Sequence, residues 1–164
     1  MIPTPTKKFD RIFVIPVKFL EENNIKLILL DLDNTLAPWR NYVVCEKTKK
    51  WVNQVRQNHI NLLILTNGSG KNAFSLANEL EIQIVGNAKK PFCRQIKKCL
   101  KSKNILAEHA LIVGDQLFTD ILVANKLNIK SVLLEPISKR EWWATKVFNR
   151  TRERLIGRKI KYFE

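Results

Sequence analysis

Leu27-Ile28-Leu29-Leu30 is an unbroken apolar run that stops at Asp31. A stretch that short, with no polar alternation, suits a strand whose sheet is covered on both faces. The form recurs along the chain. Asn61 to Leu65 stops at Thr66, Ala110 to Val113 stops at Gly114-Asp115, and Ile82 to Val85 and Lys130 to Leu134 read as further strands. Helical segments lie between them. Glu46 to Asn58 carries Trp51, Val52 and Val55 on one side, and Lys71 to Leu80 forms a shorter helix. A third is expected to start with Pro91 as its first residue and to run to about Lys103, because proline is tolerated where no helical N–H is needed. A fourth is expected to be capped by Thr119 and to run through Leu127. Strands alternating with helices imply a three-layer, Rossmann-like α/β fold with a central parallel sheet of about five strands. Such sheets place their ligands at the carboxyl ends of the strands.

At 164 residues the chain is read as a single domain over 1–164, with 1–20 as an N-terminal extension and 138–164 as a basic C-terminal helix and tail. The three cysteines, Cys45, Cys93 and Cys99, are odd in number and contain no CxxC pair, which argues against a disulfide framework and for a reducing cytoplasm. The apolar run from Ile12 to Val17 is interrupted by Pro16, and Lys7, Lys8, Asp10 and Arg11 precede it, a poor pattern for a signal peptide. No stretch approaches a membrane span, so contact with a membrane would come from the side. Charge is the outlying property. Lys and Arg number 29 against 15 Asp and Glu, a net +14 that favours anionic partners.

The ends of the apolar runs hold the residues that packing alone would not choose. The first reads Asp31-Leu32-Asp33-Asn34-Thr35-Leu36. Two carboxylates so close repel, and a hard cation such as Mg²⁺ would hold them. The second offers Thr66, a hydroxyl, with Asn67 and Gly68 before a helix, a place for a phosphoryl group. The third is Lys89-Lys90-Pro91, and the fourth Gly114-Asp115 with Asp120 five residues on. Each has a plainer reading alone: Thr66 as a helix cap, Lys90 as a solvated surface lysine, Asp115 as a turn residue, Asp120 as a surface charge. Four such residues at four strand ends, in chemically sensible order, favour a site for anionic phosphate and a cation.

DLDNTL, LTNGS, KKP and GDQLFTD resemble the four motifs of the haloacid-dehalogenase (HAD) superfamily of phosphohydrolases. The match runs from about Leu20 to the end of the chain. Pro38-Trp39, the Ala88-to-Pro91 run, GDQ-x-x-TD and the basic Phe148-Asn149-Arg150 tail are similar to the YqeG-type, phosphatidylglycerophosphate-phosphatase-like branch. The resemblance implies a Mg²⁺-dependent phosphatase. In it Asp31 is the nucleophile that forms an aspartyl-phosphate, and Asp33 the general acid and base. It implies metal ligation by the side chains of Asp31 and Asp115 and the main-chain carbonyl of Asp33. Thr66 and Asn67, with nearby amides, and Lys90 would bind the phosphoryl group. Asp120 would act from behind, orienting the metal's waters or Lys90. Asn34 and Thr35 are expected to shape the loop.

Many relatives carry a cap domain, but only about 30 residues separate Thr35 from Thr66, and one helix and one strand fill most of Gly70 to Lys89. No cap fits. An uncapped site suits a phosphate carried by something large or lying on a surface. The charge distribution agrees: seven basic and no acidic residues lie between Lys89 and Lys103, and nine Lys or Arg against three Glu between Ser138 and Glu164. Trp142 and Trp143 stand in that tail, either at headgroup level on an anionic membrane or packed on the core. The leading expectation is hydrolysis of phosphatidylglycerophosphate at the inner face of a membrane. A nucleic-acid-end phosphatase, with Trp39 as a stacking residue, and an RNA- or ribosome-associated binding protein are the alternatives.

Overall fold

The computed structural model describes residues 2–68 and 70–138, so the basic tail with Trp142 and Trp143 lies outside the described residues. Six strands form one wholly parallel sheet: β1 (Lys7–Phe9), β2 (Leu27–Leu30), β3 (Asn61–Leu65), β4 (Gln83–Val85), β5 (Ala110–Gly114) and β6 (Lys130–Leu134). Their spatial order is β1-β6-β5-β2-β3-β4. After the edge strand β1 the chain enters the middle of the sheet at β2, winds outward through β3 and β4, and returns to the other side of β2 as β5. That reversal leaves a crevice between the carboxyl ends of β2 and β5, where open parallel sheets bind ligands.

The five expected strands are all present, and the sixth comes from the N-terminal extension. Lys7, Lys8 and Phe9 pair with Val132, Leu133 and Leu134, which seals the β6 edge. The extension is part of the sheet, and its charged sequence suits an edge strand with two exposed lysines. Trp51 reinforces the attachment: its buried indole N–H donates to the Ile15 carbonyl at 2.9 Å.

Residues alternate between the two faces of each central strand, as the pleat requires. Ile28, Leu30, Leu62, Ile64, Leu111 and Val113 face α1 (Val17–Glu22), α2 (Glu46–Gln57) and α3 (Lys71–Glu79). Leu27, Leu29, Leu63, Leu65, Ala110 and Ile112 face α4 (Arg94–Ser102) and α5 (Leu122–Lys126). This double burial is why β2 reads as a continuous apolar run, with all four residues buried.

Two helix starts differ from expectation. α4 begins at Arg94, three residues after Pro91. The Lys90 carbonyl is taken by the Asn67 side-chain amide, and the Phe92 N–H donates back to Lys89, so this segment is a turn that presents Lys90. Thr119 is not a cap either. It lies within a π-helical turn, Leu117–Ile121, that precedes α5, and its hydroxyl donates to the Gln116 side chain at 3.2 Å. Such turns widen the backbone locally and are frequent at functional sites. Here the turn carries Asp120, fully buried.

Candidate active site

Register sets the site. Leu30 pairs with Val113 and Ile64, so Asp31, Asp115 and Thr66 leave their strands at nearly the same height. The Asp31 N–H still donates to the Val113 carbonyl at 2.8 Å, which continues the β2–β5 ladder one residue into the site. Beyond it the chain folds tightly. Asn34 has a left-handed backbone (φ 59°), and its N–H donates to the Ala37 carbonyl. Its side-chain oxygen accepts from the N–H groups of Trp39 and Ser138. Asn34 shapes the loop, and asparagine tolerates that conformation better than most residues.

Lys90 is the centre of the charge network. Its ammonium donates to Asp31 Oδ1 and to Asp120 Oδ1, both at 2.6 Å, and all three side chains are buried. Burial alone would pull its pKa down, but Asp120 and Asp31 outweigh that and raise it, so Lys90 is a fixed cation. Its backbone is clamped by Asn67, whose side-chain oxygen accepts from the Lys90 N–H at 2.7 Å and whose NH₂ donates to the Lys90 carbonyl at 3.2 Å. Asn67 therefore reaches the expected site through its grip on Lys90. The other Asp120 oxygen accepts from the Gln116 N–H at 3.2 Å. The close approach depends on Gly114, because a Cβ there would overlap the Asp120 carboxylate and stand 2.8 Å from its Cβ.

Three other carboxylate oxygens have no such partner. Asp31 Oδ2, Asp33 Oδ1 and Asp115 Oδ1 are buried without a hydrogen bond. Burial, aided by Asp120 and Asp33 and opposed by Lys90, pushes the Asp31 carboxyl up to about 7. Burial and the neighbouring Asp31 and Asp120 push Asp115 up to about 9. Asp33 is also raised by burial, while Lys90 and a hydrogen bond from Tyr42 draw it back. Orphaned buried oxygens on carboxyls held above their ordinary range fit a hard divalent cation. Asp31, Asp115 and Asp120 bring ligand atoms within 4.8 Å of one another. Asp120 already uses both oxygens, whereas Asp31 and Asp115 each keep one unpartnered.

Thr66 is buried at the end of β3, and its hydroxyl oxygen accepts from the Gly68 N–H at 3.0 Å, which leaves its own proton to donate. The structure thus gathers Asp31, Asp33, Thr66, Asn67, Lys90, Asp115 and Asp120 around one pole of the sheet. Tyr42 and Gly114 belong with them, and the sequence gives no sign of Tyr42 and no role for Gly114. Tyr42 lies outside every motif, and a glycine at a strand end reads as a turn until Asp120 is seen packed against it.

A family model described as mitochondrial PGP phosphatase matches residues 2–138. The chain belongs to that family. This PGP-phosphatase family member is 28% identical over 157 residues to "Probable phosphatase YqeG" of Bacillus subtilis (strain 168), covering 96% of this chain and 91% of the relative. Its fold is similar to a HAD family hydrolase from Streptomyces avermitilis, with a TM-score of 0.57, 17% identity, and coverage of 68% of this chain and 67% of that one. It is likewise similar to 3-deoxy-D-manno-octulosonate 8-phosphate phosphatase from Moraxella catarrhalis in complex with magnesium, phosphate and sugar (TM-score 0.54, 16% identity, 82% and 98% covered). The family member is a HAD phosphatase of the YqeG type. Among the described residues it has no cap: α2 and β3 are the elements between Thr35 and Thr66, and α3 and β4 those between Gly70 and Lys89.

Proposed function

We propose that this HAD phosphatase hydrolyses phosphatidylglycerophosphate to phosphatidylglycerol, dependent on Mg²⁺, through an aspartyl-phosphate on Asp31. The observation that carries the chemistry is the state of Asp31: one oxygen held by Lys90, the other buried and unpartnered beside two further orphaned carboxylate oxygens. In the first step Asp31 attacks phosphorus in line and the ester P–O bond breaks. Asp33, oriented by Tyr42, gives its proton to the departing glycerol oxygen. In the second step Asp33 takes a proton from water, which attacks the same phosphorus, releases inorganic phosphate and restores the Asp31 carboxylate. The Thr66 hydroxyl, its oxygen held by the Gly68 N–H and its proton free to donate, holds a phosphoryl oxygen, Lys90 neutralises the group, and Asp120 with Asn67 keeps Lys90 in place.

Asp31, Asp115 and the Asp33 main-chain carbonyl would hold Mg²⁺. Bound there, it supplies charge that keeps the carboxyls ionised and offsets their repulsion of phosphate. Support for the lipid comes from the family description, the uncapped site and the net charge of +14. We place the enzyme at the cytoplasmic face of a membrane as a peripheral protein because the proposed substrate is a lipid and the net charge of +14 favours an anionic surface; no helix among the described residues is long and apolar enough to cross a membrane.

The test is Mg²⁺-dependent phosphate release from phosphatidylglycerophosphate in mixed micelles. A soluble aryl phosphate and a 3′-phosphorylated oligonucleotide run in parallel, with Asp31→Asn as the blank. The expected result is strong preference for the lipid and loss of all turnover in the blank. Preference for the oligonucleotide would refute the lipid, and turnover by Asp31→Asn would refute the mechanism.

A further inference from the structure

Isolated exposed apolar side chains are ordinary on protein surfaces, but a group of them beside a site marks an interaction surface. Val14, Trp39, Val43 and Phe92 are all large and exposed, and they follow the carboxyl ends of β1, β2 and β4. In a parallel sheet that puts them at the pole that carries Asp31.

Two of these connections meet over the β2 loop. Phe13, Leu36, Pro38 and Val43 line an apolar slot of about 130 Å³. Thr35, next in the nucleophile loop, forms part of its wall, and the Thr35 hydroxyl is buried without a hydrogen-bond partner. One cation lines the slot and two others lie on aromatic rings of the same two connections. Arg11 lies at its edge, the Arg40 guanidinium sits 4.1 Å above the Trp39 ring, and the Lys47 ammonium 5.5 Å above Phe13. Against these stand Asp10, Glu46 and, in the segment that brings Ile137 to the slot, Glu135; Glu46 is paired with Lys49 at 3.3 Å, and one Arg11 nitrogen donates to the Asp10 and Glu135 carbonyls. An apolar floor with amphipathic aromatics and a cationic rim complements the boundary between acyl chains and anionic headgroups.

We infer that this surface docks an anionic phospholipid, with one acyl chain entering the slot under Val43 and the headgroup facing Arg11, Arg40 and Lys47. The choice of a phospholipid rests on the function proposed above. The slot shares Thr35 and Leu36 with the loop that bears Asp31 and Asp33, so a lipid seated there presents its headgroup to the same pole.

The experiment is co-sedimentation of the full chain, in an Asp31→Asn background to prevent turnover, with phosphatidylcholine vesicles containing either no phosphatidylglycerol or about one-third of it. Binding to the anionic vesicles is expected. Val14→Asp/Val43→Asp should weaken it about tenfold or more. Arg40→Gln/Lys47→Gln should weaken it about 25-fold, from roughly fivefold for each cation at an anionic surface. All four side chains lie outside the catalytic network, so with Asp31 restored both pairs should hydrolyse a soluble aryl phosphate at the parent rate and melt normally. Undiminished vesicle binding by both pairs would overturn the inference, as would a loss confined to Trp142→Ser/Trp143→Ser. Failure here, with phosphatidylglycerophosphate still hydrolysed in micelles, removes the surface and leaves the function. Vesicle binding that depends on both pairs, without hydrolysis of that lipid, keeps the surface and removes the function.

Discussion

Replacing Lys90 with Met keeps most of the side-chain volume and removes the one buried positive charge of the network. The ammonium bridges Asp31 and Asp120 at 2.6 Å to each, with side-chain exposures of 4% for Lys90, 8% for Asp31 and 1% for Asp120. Water cannot replace it well at that depth. Deleting one partner of a buried ion pair costs about 3–5 kcal/mol, because the charge left behind is both desolvated and unpaired. Two carboxylates would be left so here, beside Asp115, which favours the upper half of that range. A natural domain has about 5–15 kcal/mol in total, so Lys90→Met in chelator should lose a third or more of its stability. Urea denaturation followed by circular dichroism measures this, with an expected midpoint fall of about 2–5 M for a slope near 1–2 kcal/mol/M. Adding Asp120→Asn removes one of the stranded charges, so the double variant should be more stable than the sum of the single changes, by about 1–3 kcal/mol. Mg²⁺ should stabilise Lys90→Met more than the parent, since the cation then faces more uncompensated negative charge. A Lys90→Met protein within about 1 kcal/mol of the parent in chelator would refute the view that Lys90 holds these carboxylates together.

Three further outcomes follow from the same geometry. Gly114→Ala would drive a methyl group into the Asp120 carboxylate, costing about 1–3 kcal/mol by thermal melting and releasing Lys90, with phosphatase activity falling at least about tenfold. Asn67→Ala removes both side-chain hydrogen bonds to the Lys90 backbone; at about 1 kcal/mol each, turnover should fall roughly 10- to 30-fold while the melting temperature drops only a few degrees. The third concerns pH. Asp31 and Asp115 have folded pKa values raised from 3.8 to about 7 and about 9, so the folded protein without metal holds protons that the unfolded chain has released. Their contribution is fully present below pH 3.8 and is lost as pH rises through about 7 and 9. The stabilisation gained from Mg²⁺ should therefore be larger at pH 8.5 than at pH 5.5, and an equal gain at both would contradict the assignment of these carboxyls to a cation.

Much of this was legible because double burial and strand-end chemistry leave separate marks. β2, β3 and β5 are bounded by their polar termini, and the positions of Asp31, Thr66 and Asp115 follow once those strands are parallel. The signal failed where a residue serves a distant partner. Pro91 reads as a helix start from local rules, yet Lys90 and Phe92 are committed to Asn67 and Lys89, and α4 is delayed to Arg94. Thr119 reads as a cap, yet the backbone there widens into a π turn that carries buried Asp120 to Lys90. Lys7 to Phe9 reads as a charged extension because an edge strand buries little, and only pairing with β6 reveals it.

The sequence by itself determined the α/β class, the parallel sheet and the residues at its carboxyl ends, since periodicity and abrupt polar stops are local properties of the chain. Only the tertiary structure decided which oxygens are spoken for. Asp120 is saturated by Lys90 and Gln116, Asp31 and Asp115 each retain a buried orphan, Gly114 makes room for Asp120, and Tyr42 joins the site from outside its motifs. Burial and hydrogen-bond satisfaction depend on atoms brought together from four strands, and no single stretch of sequence contains them.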